Sequence, residues 1–311
     1  MASGKPVVIL GVFVADTAYR AQRQPRIGET LLGNSFALGP GGKGSNQAVA
    51  VARLGAEVSI ITRLGKDAFA DMAMKTWKEA GVKSAAIETP QSYTGAAYIF
   101  VEARTGNNAI IIAPGAAALI APLDIDANAE LIRAASVFVT QLEQPLDAAI
   151  RGLEIAKAAG VTTILNPAPA APLPDSIYSL CDYLTPNETE AEGITGIPVS
   201  SVDDARKAAH AMLRKGAGGV VVTLGEKGAL LHRANTDEVV PTYQVGPVVE
   251  TTGAGDAFNG GFAVGLSRGM KPVDAVRFGC AVAGISVTRP GTAPSMPTLA
   301  EALAVFEGKA G

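Results

Sequence analysis

Short apolar runs rich in β-branched residues alternate along this chain with alanine-rich stretches of helical period. The runs predict strands at Val7–Val14, Val58–Thr62, Val137–Gln141, Thr162–Asn166, Tyr183–Pro186 and Gly219–Leu224. Helices are predicted at Ser45–Leu54, Ala68–Ala80, Leu146–Ala159, Val202–Lys215, Ala254–Arg268 and Pro272–Val287. Because the strand runs are continuously apolar, helices should cover both sheet faces, giving an α/β, doubly wound, mainly parallel sheet. Two stretches break the rhythm. Thr30–Leu38 and Tyr93–Ile112 alternate polar with apolar residues around a Gly106-Asn107-Asn108 turn, as a small, half-exposed antiparallel sheet would. The expected division is residues 1–14, 40–92 and 113–311 as the main domain, with 15–39 and 93–112 inserted as a lid or dimerisation sheet. No repeat or low-complexity linker is visible, and fraying is expected only at Met1–Lys5 and Gly308–Gly311.

Composition narrows the function classes. The 311 residues carry 26 basic and 29 acidic side chains, a net charge of −3, without a basic block to displace counterions from nucleic-acid phosphates. Cys181, Cys280, His210 and His232 offer neither zinc-type spacing nor a disulfide framework, which points to a reducing, cytosolic setting. The apolar run Ala109–Leu123 is interrupted by Pro114 and Gly115 and falls short of the ~20 residues of a membrane span. Met1–Pro6 has no signal-peptide core.

Several motifs carry chemistry. Gly39-Pro40-Gly41-Gly42-Lys43-Gly44 fits the G-x-G-x-x-G dinucleotide pattern, yet the next strand begins with Glu57 and ends in Thr62-Arg63-Leu64, so the carboxylate for a ribose is misplaced. A phosphate-loop reading fails because Gly44 follows Lys43 where Ser or Thr should bind magnesium. What remains is a close backbone approach to a polar small molecule, with Asn46 in the first helical turn. Gly253-Ala254-Gly255-Asp256 opens an alanine- and glycine-rich helix whose amides make an anion site, with Asp256 placed as a base toward a hydroxyl. A plain helix cap would not require Gly-Ala-Gly. Asn187 and Glu190 begin a helix after a strand, either to orient hydrated magnesium or as a capping box. Thr223–Gly228 reads as a hairpin turn or a phosphate contact. Asp16 and Glu143 stand beyond strand ends, where open α/β sheets bind ligands. Phe69, Met72 and Trp77 share a helix face expected to be core, His210 is expected at the surface, and His232 reads as structural.

Taken together, Gly41-Gly42-Lys43-Gly44-Ser45-Asn46-Gln47-Ala48, Asn166-Pro167-Ala168-Pro169-Ala170, Asn187-Glu188-Thr189-Glu190 and Gly253–Gly260 resemble the carbohydrate kinases of the ribokinase (PfkB) family, from about Val7 to Pro297. The resemblance implies ATP-dependent phosphorylation of a sugar hydroxyl, the 5-hydroxyl of D-ribose in members closest to this chain. It implies Asp256 as base and Gly253, Ala254 and Gly255 as anion hole. Asp16, Gly42, Lys43, Asn46, Glu143 and Asp256 match sugar-binding positions; Asn187, Thr223, Gly225, Gly228 and Gly255 match nucleotide-binding ones, with Asn187 and Glu190 near Mg2+. Glu250, Thr252, Ser286, Arg289, Gly291 and Ser295 match a loop for a monovalent cation such as K+, although the family usually carries aspartate at the Glu250 position. The family also closes a β-sheet lid over the sugar and often forms homodimers through it. Asp256, near a helix N-terminus, is expected to be ionised and a weak base. One departure bears on the acceptor: ribose-phosphorylating members carry asparagine where this chain has Val14. Fructose or a nucleoside as acceptor, a non-catalytic sugar sensor, and an NAD-dependent oxidoreductase are the alternatives.

Overall fold

The computed structural model describes residues 5–308; most of the expected frayed ends lies outside the described residues. The strands are β1 (Val7–Leu10), β2 (Val14–Ala21), β3 (Ser35–Gly41), β4 (Val58–Leu64), β5 (Lys83–Glu88), β6 (Thr94–Glu102), β7 (Asn108–Gly115), β8 (Val137–Thr140), β9 (Thr162–Leu165), β10 (Tyr183–Leu184), β11 (Val220–Thr223), β12 (Ala229–Arg233) and β13 (Thr236–Val240). The helices are α1 (Lys43–Arg53), α2 (Ala68–Ala80), α3 (Pro122–Ala127), α4 (Ala129–Arg133), α5 (Leu146–Ala158), α6 (Glu188–Thr195), α7 (Val202–Arg214), α8 (Ala254–Ser267), α9 (Pro272–Ser286) and α10 (Leu299–Phe306).

Nine strands form the main sheet in the order β13-β12-β11-β10-β9-β8-β1-β4-β5. It is parallel except where β12 and β13 return antiparallel. Alternate residues of β1 enter opposite cores: Val7 and Ile9 join α1, α8 and α9 on one face, and Val8 and Leu10 pack with α5 and α7 on the other. This two-sided burial explains the continuous hydrophobicity of the strands. Trp77 is fully buried in the first core, with Phe69 and Met72 packed against it.

The second sheet has the order β3-β2-β6-β7. It is mixed, not antiparallel as expected: β2 and β6 run parallel, because both leave the main sheet in the same direction. Two boundaries also move. The predicted strand Val7–Val14 divides after Leu10, and Val14 begins β2, so Asp16 lies within a strand rather than beyond one. Continuous apolar sequence across Gly11 hides this break. The strand expected at Thr30–Leu38 begins only at Ser35 and runs to Gly41. Edge strand β5 escaped the pattern because its short, half-exposed sequence Lys-Ser-Ala-Ala-Ile-Glu lacks β-branched density.

Candidate active site

The site forms where the carboxyl ends of the central strands meet the N-termini of α1 and α8. Gly42 precedes α1 at φ 88°, and a Cβ there would lie 2.5 Å from the Val12 carbonyl oxygen. Only glycine combines that left-handed backbone with that approach. Gly41 makes room for a functional group: its Cβ would fall 2.2 Å from a carboxylate oxygen of Asp16.

Asp256, in the first turn of α8, is 7% exposed. Its Oδ2 accepts from Asn46 Nδ2 and its Oδ1 from Gln47 Nε2, each at 3.0 Å. Burial pushes its pKa up, opposed by the Lys43 charge and these two hydrogen bonds. The expected weak base is thus strengthened by desolvation, an effect that helix position alone does not reveal. Burial, with Asp256 and Glu250 nearby, pushes Asp16 up to about 6. Glu143 is pushed up to about 7 by burial, against the Lys43 charge and the Lys43 N–H that donates to its Oε2 at 2.9 Å. Burial would lower Lys43, but the Asp256, Glu143 and Glu190 carboxylates outweigh it and hold the ammonium charged.

A cavity of about 150 Å3 collects the remaining parts; Lys43, Asn187, Glu190, Thr223, Gly255 and Asp256 are among its walls. At its floor Gly253 is left-handed, φ 82°, and opens α8. Among the described residues the N–H groups of Gly255 and Asp256 have no protein acceptor, whereas Ala254 N–H is committed to the Thr251 carbonyl at 3.1 Å. Of the expected Gly253-Ala254-Gly255 anion hole, the Gly253 and Gly255 amides are likewise without an acceptor among the described residues, and the Asp256 amide stands beside them. A Cβ on Gly255 would meet no atom within 4 Å, so this glycine leaves space that an anion can fill.

Asn187 and Glu190 form a reciprocal capping box, Glu190 N–H to Asn187 Oδ1 at 2.8 Å and Asn187 N–H to Glu190 Oε2 at 2.9 Å. Both nonetheless face the cavity, with Glu190 Oε1 and Asn187 Nδ2 left over. Glu190 is pushed up by burial, countered by the Asn187 N–H and by Lys43. These free atoms suit a hydrated cation beside phosphates. Thr223 reaches the cavity, but Gly225 and Gly228 are not among its walls; they serve the turn between β11 and β12, at φ 53° and 94°. Glu250 Oε2 accepts the Gly291 N–H at 2.8 Å, so the longer acid still closes its loop. Ser286 Oγ and Ser295 Oγ donate to the Ala283 and Thr292 carbonyls, and Arg289 pairs with Glu301. Thr252 is exposed beside them. His210 is exposed, and His232 meets Asp237 at 2.9 Å, away from the cavity walls.

Sequence reasoning missed Gln47. It is fully buried in α1, directly behind Asp256, among Gln141, Asn166 and Thr185. An uncharged helical glutamine gives no chemical signal by itself; only its place beside Asn46 in the glycine motif could have suggested it.

The family model for pfkB family carbohydrate kinases matches residues 7–299. The ribokinase of Haemophilus influenzae is 39% identical over 304 residues, 97% of this chain and 99% of that protein. The deoxyribokinase of Salmonella typhi is 38% identical, covering 94% of this chain and 96% of its own. Among solved structures, Arabidopsis thaliana ribokinase complexed with ribose and ATP superimposes with a TM-score of 0.93 at 31% identity, covering 98% and 99% of the two chains. Matched along nearly its whole length in sequence and in fold, the chain belongs to the PfkB family of ATP-dependent carbohydrate kinases.

Proposed function

We propose that the enzyme transfers the γ-phosphoryl group of ATP to the 5-hydroxyl of D-ribose, with Asp256 as the base. The observation that carries this reading is the convergence at the N-terminus of α8: a buried carboxylate, free amides and the Lys43 ammonium border one cavity. Asp256 accepts the hydroxyl proton as the oxygen bonds to phosphorus, and the bond from phosphorus to the bridging oxygen breaks to release ADP. The Gly255 and Asp256 amides and Lys43 hold the charge on the transferring group. Asp16, Glu143 and Asn46 bind the sugar; Gly42 lets the backbone approach it. Asn46 Oδ1, buried without a partner among the described residues, suits a sugar hydroxyl donor. Thr223 and Asn187 border the nucleotide, and Asn187 and Glu190 would hold the water shell of Mg2+, which supplies charge neutralisation on the phosphates. K+ would bind in the loop closed by Glu250 and Gly291. The small sheet serves as a lid that excludes water.

Val14 favours a second acceptor, 2-deoxy-D-ribose. It is 4% exposed and shares a face of β2 with Asp16, so an apolar group stands where a polar contact would otherwise be made. A site without that contact loses discrimination against a sugar that lacks a hydroxyl. Similarity to both a ribokinase and a deoxyribokinase leaves the two acceptors close. ADP release with D-ribose, 2-deoxy-D-ribose, fructose, adenosine and no sugar, with and without K+, tests both readings. Turnover with ribose at the highest kcat/KM supports the first reading; preference for deoxyribose supports the second. Activity only on fructose or adenosine, or none at all, rejects both.

A further inference from the structure

Behind Asp256 runs a chain of amides that the reaction, as described, does not use. Asn166 donates Nδ2 to the Thr185 main-chain carbonyl at 3.0 Å. A carbonyl only accepts, so the Asn166 side chain is fixed with Oδ1 toward Gln47. Gln47 must then present Nε2, which reaches Asn166 Oδ1 at 3.2 Å and Asp256 Oδ1 at 3.0 Å. Its Oε1 turns the other way and accepts from Gln141 Nε2 at 2.6 Å. Gln47 and Gln141 are fully buried, and the sequence of amides ends on Gln141 Oε1, which has no partner among the described residues. A flipped Gln47 would set its oxygen against both the Asp256 carboxylate and Asn166 Oδ1.

The other oxygen of Asp256 is held differently. Asn46 donates to Oδ2, but Asn46 Oδ1 has no partner among the described residues, so this amide can turn over and accept from a protonated Oδ2. Gln47, committed on both sides, cannot do the same for Oδ1. We propose that Gln47 is a positioning residue for phosphoryl transfer: locked through Asn166, Thr185 and Gln141, it keeps Oδ1 an acceptor and steers the sugar proton to Oδ2. This rests on Asp256 being the base. In that step the sugar O–H bond breaks, the Oδ2–H bond forms, the freed electron pair makes the O–P bond, and ADP leaves with the electrons of the broken P–O bond.

The kcat–pH profile of Gln47→Met, a substitution close in volume, tests the proposal. Asp256 is also faced by Lys43 from α1, Asp16 from β2, Glu143 beyond β8 and Glu190 from α6, so the acid limb belongs to the cluster and the variant is read against the parent enzyme. Losing a donor to the ionised carboxylate should move the acid limb up by about 1 pH unit or more. Turnover at neutral pH should fall about tenfold and recover in alkali, with sugar KM within about threefold. An acid limb that stays in place overturns the proposal. Gln141→Met, which frees Gln47 without removing it, should move the limb less, in the same direction, and add nothing to Gln47→Met; full additivity in the double variant overturns the relay. If Gln47→Met does not fold, the Gln141→Met profile decides alone. Full turnover by Asp256→Asn would remove the base assignment itself, whereas inactive Asp256→Asn with an unshifted Gln47→Met limb removes only the positioning role.

Discussion

As the proposed base, Asp256 would face two opposing demands: it must be ionised to accept a proton, yet basic enough to hold it. Burial raises its proton affinity, while Lys43, Asn46 and Gln47 favour the charged form. Asp256→Asn keeps the volume and removes the acceptor, so kcat should fall about 1,000-fold or more while sugar KM changes little, as steady-state kinetics would measure. Two glycines should separate folding from chemistry. Gly42→Ala forces a side chain onto a left-handed backbone and into the Val12 carbonyl, and should cost on the order of 2 kcal/mol in urea unfolding. Gly255→Ala meets empty space and should unfold like the parent, while KM for ATP rises several-fold. The acid and glycines of this site were legible because charge and glycine pattern survive in one dimension. Gln47 was not, because its partners are 94, 119 and 209 positions away in the chain.

At the level of elements, helix starts do more than end helices. Asp67 caps α2 through the N–H groups of Phe69 and Ala70, and its other oxygen accepts the Thr94 N–H at 2.7 Å, at the first residue of β6. One carboxylate therefore ties a helix of the main body to a strand of the small sheet. Asp67→Ala should destabilise the protein by about 2 kcal/mol in urea titration, because it removes a cap and leaves a buried strand amide unpaired. Strong hydrophobic periodicity made α2 and α7 readable from sequence, whereas α8, buried on nearly every side, was readable from its run of small and apolar residues. The start of β2 was hidden because Val14 extends an apolar run whose backbone leaves the main sheet, a decision made by packing against β6 rather than by local preference.

For the whole molecule, the clustered acids set a pH dependence. Asp16 and Glu143 move from 3.8 and 4.5 to about 6 and about 7 on folding, and Asp256 moves in the same direction. Between those limits the folded state binds more protons than the unfolded one, so stability falls as pH rises through the window. Carboxylates held low, such as Asp67 and Asp124, lose their contribution only in stronger acid, below the unfolded carboxylate range. Melting temperature should therefore decline from about pH 5 to pH 8, and Glu143→Gln should flatten the decline; a flat parent curve would refute this. The outer face of the small sheet bears Tyr19, Phe36, Leu38 and Ile111, exposed by 43%, 56%, 46% and 68%. We propose that a second copy covers it; Ile111→Asp should then convert a dimer to a monomer in sedimentation, without loss of fold.

The chain has one tryptophan. Trp77 is fully buried, donates its indole N–H to Ser45 Oγ at 2.9 Å in the first turn of α1, and meets the Phe13 ring edge-on at 6.0 Å, one residue before β2. The protein thus carries its own optical reporter, unlabelled and free of competing indoles. It is lodged where the glycine loop, the helix that carries Lys43 and Asn46, and the root of the small sheet converge, so movement of any of them on adding a ligand can be followed as a change in its fluorescence.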